Sequence, residues 1–181
     1  MEKVALTALA AGLLVVLLTG WWRLAFAVVA IRRSRMTIEH LGFRVTLPDQ
    51  VERVNGILDS FAGGFNAMIA WPSFSGWARY CDSLPVVYRP FAHEGAAMGY
   101  CLRRLFRYSP TEFEERIVRA RPQFRYLSYV GLGFWSGMRG HDPTRLARIV
   151  DGLDTLHGYL CYDGYGFKHG FFDYLKDSGG R

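Results

Sequence analysis

The sequence predicts a mostly α-helical protein, in which an N-terminal transmembrane helix precedes a helical domain built from two pseudo-symmetric three-helix repeats. Three observations predict this fold class: an uncharged apolar run near the N-terminus, apolar residues that recur at helical spacing, and an internal repeat at a constant offset of 69 residues. The predicted parts are a membrane anchor with a basic juxtamembrane segment, a connector and the duplicated domain, at residues 1–35, 36–48 and 49–181, with repeats at about 49–108 and 109–178.

The N-terminal helix is predicted from residues 4–22, which carry no charged side chain over 19 positions. A helix of that length crosses the ~30 Å hydrocarbon core of a bilayer, and one tilted helix over about 5–31 is a second placement. A cleavable signal peptide is the alternative, because Ala25-Phe26-Ala27 resembles a processing site. The region before the apolar run is only Met1-Glu2-Lys3, so we expect a retained, single-pass anchor.

Aromatic and basic residues at the end of this run are the predicted contacts with membrane lipid and with integral membrane proteins. Tryptophan rings favour the bilayer interface, and an arginine at membrane depth either snorkels or meets a partner. Three arginines follow the helix and one lysine precedes it, so the positive-inside rule places the globular domain in the cytoplasm. The predicted membrane- and partner-binding residues are Trp21, Trp22, Arg23, Arg32, Arg33 and Arg35.

The basic charge of the chain does not indicate a nucleic-acid-binding protein. The net charge is +6, but the arginines between positions 103 and 125 are interspersed with Glu112, Glu114 and Glu115. A nucleic-acid interface needs an uninterrupted basic surface, so nucleic acid is not a predicted partner.

The cysteines do not indicate a metal or a disulfide framework. Cys81, Cys101 and Cys161 form no C-x-x-C pair, and their number is odd. We expect small buried hydrophobic side chains at these positions, although one pair could bridge in an oxidising compartment. No metal and no cofactor are predicted.

The internal repeat aligns residues 58–102 with residues 127–171 without a gap. Such a register predicts that each half contributes a helix with a glycine-phenylalanine pair, a capped helix with the pattern A-R-x-x-D-x-L, and a helix opened by an acid and a glycine. The matching residues in the two halves are Gly64-Phe65 with Gly133-Phe134, 78–84 with 147–153, Glu94 with Asp163 and Gly95 with Gly164.

Glu94 and Asp163 are the catalytic candidates, because the repeat makes them equivalent. Two carboxylates related by internal symmetry could divide the roles of general acid and general base. His93 adjoins the first acid and His169 lies one to two turns beyond the second, so nitrogen groups are near both. The spacing matches no metal-binding motif, and the alternative is that each acid caps its helix while the following glycine permits close packing.

Aromatic residues make up 15% of the chain. Most are expected in the core, but a surplus of tyrosine also fits an elongated pocket for a flat or polyunsaturated apolar ligand or pigment.

Three stretches resemble a known bacterial family. Residues 89–99 read R-P-F-A-H-E-G-A-A-M-G, residues 129–135 read Y-V-G-L-G-F-W, and residues 163–170 read D-G-Y-G-F-K-H-G. They are similar to the DUF 1702 family, a family of unknown function whose members are often described as enediyne biosynthesis proteins. The resemblance covers residues 43–174 and implies a bacterial protein corresponding to the first half of a larger family member, with an added anchor. It implies no catalytic residues, and it implies that a short member dimerises or docks on another subunit.

Two functions follow from these observations. The first is a single-pass, membrane-anchored, non-catalytic subunit or scaffold of a larger assembly in the bacterial inner membrane. The second is an enzyme or binding protein that acts on an apolar polyene or polyketide-derived small molecule in natural-product biosynthesis, with lipid or pigment binding as a related possibility.

Overall fold

The computed structural model describes residues 26–42, 47–70, 75–104 and 108–173. Within these ranges all regular secondary structure is helical, as the sequence predicts. The chain divides into residues 1–30 and residues 31–181, and in the first unit the described residues 26–29 are helical.

The second unit contains seven α-helices in its described part. They are α1 (Pro48–Ala70), α2 (Ser75–Ser83), α3 (Arg89–Arg103), α4 (Pro110–Phe113), α5 (Arg125–Met138), α6 (Pro143–Val150) and α7 (Cys161–Phe167). Helices α4 and α7 continue as π-helical turns, Glu114–Val118 and Lys168–Asp173, and short 3-10 turns lie at Arg33–Arg35, Pro122–Phe124 and Gly158–Leu160.

Two helix starts confirm the capping residues expected from the sequence. The Ser109 side chain accepts a hydrogen bond from the backbone N–H of Glu112, and the Asp142 side chain accepts one from that of Arg145. In both helices a proline follows the cap, where its missing N–H costs nothing.

The three most extensive helix–helix contacts follow the order of the chain: α1 packs on α3, α3 on α5, and α5 on α7, while α2 covers the junction of α1 and α3. The core between them is strongly aromatic, as expected. Its largest fully buried side chains are Trp77, Tyr100, Tyr129, Phe113, Met68 and Ile117. The three cysteines are free and buried, which confirms their prediction as small core residues.

Glycines allow the backbones of α1 and α3 to touch. A Cβ atom at Gly64 would collide with the carbonyl oxygen of Ala92, and a Cβ atom at Gly95 would collide with that of Phe61. The two glycines therefore face each other's helix, an arrangement that permits Cα–H···O contacts between backbones.

The contact between α5 and α7 has the same construction. A Cβ atom at Gly133 would collide with the carbonyl oxygen of Cys161, and one at Gly164 with that of Val130. Each of these four residues lies 69 positions after its counterpart in the α1–α3 contact.

One predicted helix start differs from the structure. The helix expected to begin at Glu94 begins at Arg89, with Pro90 in its first turn, so Glu94 lies in the second turn and does not cap the helix. The prediction was wrong because Pro90 was assigned to a loop, whereas proline is well suited to a first helical turn. Asp163 does lie in the first turn of α7.

None of the helices in the described ranges is both long enough and apolar enough to cross a membrane. The predicted anchor at residues 4–22 lies outside those ranges, as do Trp21, Trp22 and Arg23. In the connector, residues 36–42 form bends and turns.

The glycine contacts predict opposite effects of two alanine substitutions in α7. Gly164→Ala should lower the free energy of unfolding by about 2–3 kcal/mol, because the new methyl group collides with the backbone of α5. Gly166→Ala, in the same helix, meets no described atom within 4 Å and should raise the free energy of unfolding by about 0.5–1 kcal/mol. Urea unfolding of the full-length protein measures both, and equal shifts in the two variants would contradict the packing described.

Candidate functional site

Glu94 and Asp163 lie on either side of Tyr126. Glu94 is on α3, Asp163 is on α7, and Tyr126 is in the first turn of α5, the helix between them. The Tyr126 hydroxyl donates a hydrogen bond to Oδ2 of Asp163 at 2.9 Å. This bond, then burial, then the charges of Asp163 and Glu94 raise the pKa of Tyr126. The two acids that the repeat makes equivalent therefore act on the same tyrosine.

The two acids have different environments. Burial raises the pKa of Glu94 to about 7, and no hydrogen-bonding partner for its carboxyl group is found among the described residues. Asp163 is exposed and is held by Tyr126. Near neutral pH, Glu94 is a carboxyl group divided between its protonated and ionised forms, a property suited to proton transfer.

His93 does not join Glu94 in one site. Its imidazole is fully buried, stacked on the Phe124 ring at 4.4 Å and edge-on to the Trp77 ring at 5.2 Å. Neither ring nitrogen has a hydrogen-bonding partner within the described part of the chain. Burial lowers the pKa of His93 to about 4, so the ring is neutral at physiological pH. Successive helical residues point about 100° apart, which separates the two side chains.

His169 belongs to a surface cluster at the end of α7. Its Nδ1 lies 2.8 Å from Oδ2 of Asp173, which also accepts a hydrogen bond from Nζ of Lys168 at 2.9 Å. The hydrogen bond from Lys168 is the largest cause that lowers the pKa of Asp173. The structure therefore does not bring the four catalytic candidates together: it pairs Glu94 and Asp163 through Tyr126 and leaves both histidines elsewhere.

Of the basic residues after the predicted anchor that the structure describes, one is in an ion pair and two are exposed. Arg33 forms an ion pair with Asp59 on α1, and Arg32 and Arg35 are exposed. The described residues contain no group of three or more His, Cys, Asp or Glu side chains able to hold a metal ion.

A cavity of about 310 Å³ lies between the ends of α3, α5 and α6. Its apolar wall consists of Cys101, Leu132, Trp135 and Ile149. Its polar lining consists of Arg104, Tyr108, Ser136, Arg139, His141 and Arg145. The sequence analysis did not identify this site, although three basic residues close to the capping residue Asp142 were a visible signal.

The chain was compared with known proteins. The model of a family described as "Protein of unknown function (DUF1702)" matches residues 21–177. No curated protein and no solved structure matches the chain.

The raised pKa of Glu94 predicts a pH-dependent effect of Glu94→Gln on stability. Below about pH 4.5, the ordinary value, the carboxyl group is protonated in the folded and unfolded protein alike. As the pH rises from about 4.5 to about 7, the unfolded protein releases this proton, whereas the folded protein must either keep it or bury a charge. The free energy of unfolding therefore falls. Glu94→Gln should therefore raise the free energy of unfolding at pH 8 by about 2–3 kcal/mol and change it little at pH 4.

Asp163→Asn is the matched control, because it makes the same chemical change at the exposed counterpart. Its effect should stay below about 1 kcal/mol at both pH values, since an amide oxygen can still accept the hydrogen bond of Tyr126. Urea titrations of the full-length proteins at the two pH values measure both variants. A pH-independent effect of Glu94→Gln would rule out a buried, uncompensated carboxyl group.

Proposed function

The chain belongs to the DUF1702 family of proteins of unknown function, and we propose that it has a non-catalytic role: the protein is a helical subunit that binds a helix of another protein in a membrane assembly. The observation that carries the proposal is the uncovered face of α7, at Gly166 and Gly170. No atom of the described residues lies within 4 Å of a Cβ built at either glycine.

The proposal treats the domain as two copies of one helical unit. In support, α2 begins at Ser75, and α6 begins at Pro143, one residue before the position that lies 69 residues after Ser75. Helix α3 begins at Arg89, and the 3-10 turn that leads into α7 begins 69 residues later, at Gly158. The paired glycine contacts of α1–α3 and α5–α7 have the same offset.

In the first copy, the equivalent face of α3 is covered. A Cβ atom at Gly131 on α5 would collide with the carbonyl oxygen of Glu94 and lie 3.1 Å from Cβ of Ala97. Ala97 and Cys101 are 0% and 1% exposed. Their counterparts at the 69-residue offset are Gly166 and Gly170, which are exposed. The face that α5 covers on α3 is thus left open on α7.

Aromatic side chains border this open face. Tyr159 and Tyr162 are 63% and 38% exposed, and their rings stack at 6.2 Å. Tyr126, which is 50% exposed, reaches the same side through its bond to Asp163. Exposed tyrosines beside a smooth surface of small residues are typical of an interface with another protein.

The proposed occupant is an apolar helix of a different polypeptide, with a small residue at the crossing point as Gly131 provides on α5. The described helices of a second copy do not supply such a surface. In a second copy the relevant face of α5 is already covered by α3. The equivalent residue of α1 at the offset, Ala62, is fully buried. The partner is therefore proposed to be a separate membrane-associated subunit.

The membrane part of the proposal rests on the sequence. The uncharged residues 4–22 would hold this subunit in the bacterial inner membrane, with the helical domain in the cytoplasm. A partner helix would then need to reach the cytoplasmic surface of the same membrane.

Enlarging the two glycines tests the proposed interface. Gly166→Leu combined with Gly170→Leu should abolish the complex in mild detergent extracts of native membranes, because two branched side chains occupy the helix-crossing surface. Thr144→Leu adds the same side chain at an exposed position on α6 and should leave the complex intact. Native electrophoresis measures the complexes, and circular dichroism of the purified variants checks their folding.

A photo-crosslinking residue at position 166 identifies the occupant. The proposal expects one protein other than this chain, captured equally from position 170 and lost when the partner's crossing residue is enlarged. Crosslinks between two copies of this chain, or native extracts that contain only free monomer, would contradict it.

A further inference from the structure

Two of the three arginines that line the cavity between α3, α5 and α6 have no carboxylate partner among the described residues. Three arginines and one histidine line it, and no aspartate or glutamate does. Arg104 is bound by Glu112, which also binds Arg116. For Arg139 and Arg145, the described part of the chain shows no carboxylate within ion-pair distance. The cavity therefore attracts anions.

A histidine of the cavity lining is held in place by hydrogen bonds. Nδ1 of His141 lies 2.9 Å from Oγ of Ser136, and the backbone carbonyl of His141 accepts a hydrogen bond from Tyr165 at 2.8 Å. The first contact orients the imidazole, and its Nε2 has no hydrogen-bonding partner among the described residues.

The remaining wall is apolar. Leu132, Trp135 and Ile149 contribute it, and the Arg139 guanidinium lies 5.9 Å from the centre of the Trp135 ring. This cation–π contact keeps the guanidinium at the wall of the cavity. The volume of about 310 Å³ lies at the lower end of the range for small-molecule sites.

We propose that this cavity binds a small organic oxyanion, in which a carboxylate or phosphate group meets Arg139 and Arg145 while a short apolar body packs on Trp135. Guanidinium groups bind both oxyanions through paired hydrogen bonds, which gives the two ligand types one shared chemistry. A neutral polyene, the ligand class suggested by the aromatic composition, cannot form such charged hydrogen bonds with the arginines.

The surroundings of His141 make the affinity for the anion depend on pH. Its pKa is lowered by burial and by the charges of Arg145 and Arg139, against an opposing effect of Asp142. Arg104 and Tyr108 face it across the cavity, and Tyr165 holds its carbonyl from α7. A bound oxyanion offsets the arginine charges, so the imidazole takes up a proton on binding, and affinity rises as the pH falls through the His141 pKa.

Titration calorimetry of the full-length protein tests the site with four probes: hexanoate, benzoate, phenyl phosphate and the neutral analogue benzamide. The three anions should bind and benzamide should not. Comparing the affinities of the carboxylates with that of phenyl phosphate shows which headgroup the site prefers. Binding of benzamide as tight as that of benzoate, or no binding of any anion at millimolar concentration, would overturn the proposal.

Two arginine variants of α6 distinguish anion binding in the cavity from a general attraction of anions to the positively charged protein. Arg145→Gln should weaken anion binding by about tenfold or more, since it removes a charged hydrogen-bond donor. Arg148→Gln removes the same charge from α6 at an exposed position that does not line the cavity, and it should leave the affinity within about twofold. Equal weakening in both variants would refute the site.

The cavity shares no residue with the open face of α7, so Gly166→Leu should leave anion binding unchanged, and failure of one proposal does not affect the other.

Discussion

The contact of backbone on backbone at the paired glycines is the constraint on which the rest of this structure depends. Gly64 and Gly95 let α1 and α3 approach until carbonyl oxygens lie where a Cβ atom would otherwise be. Helices that meet so closely bury little side-chain area at the crossing itself, so the aromatic core lies beside it. Its fully buried rings come from several helices: Trp77 from α2, Tyr100 from α3 and Phe113 from α4.

The same contact determines the chemistry of the two acids. Glu94 immediately precedes Gly95, and Asp163 immediately precedes Gly164, so each acid lies next to a helix crossing. Helix α5 packs on the outer side of α3, and burial raises the pKa of Glu94 to about 7. The corresponding side of α7 is exposed at Asp163. The difference between the acids therefore arises from their place in the row of helices and not from their local sequence.

Much of the helical fold could be predicted because its signals are local. The caps Ser109 and Asp142 and the buried run that forms α5 were all identified from neighbouring residues. The start of α3 was missed because proline in a first helical turn and proline in a loop have the same local appearance. The separation of His93 from Glu94, and the joint effect of Glu94 and Asp163 on Tyr126, depend on helix rotation and packing order, which no local pattern records. The cavity joins residues from three helices and was equally out of reach.

The titrating acid and the cavity occupy different places in the described structure. A catalytic acid must touch its substrate, so a group with a shifted pKa and the cavity that holds the substrate belong to one site. Here they are separate: Glu94 does not line the cavity between α3, α5 and α6, and His93 is enclosed by Trp77 and Phe124. The cavity lining offers arginines and one imidazole, groups able to hold an oxyanion. The shifted pKa of Glu94 is then a consequence of close helix packing, and the proposed binding of an oxyanion does not require it.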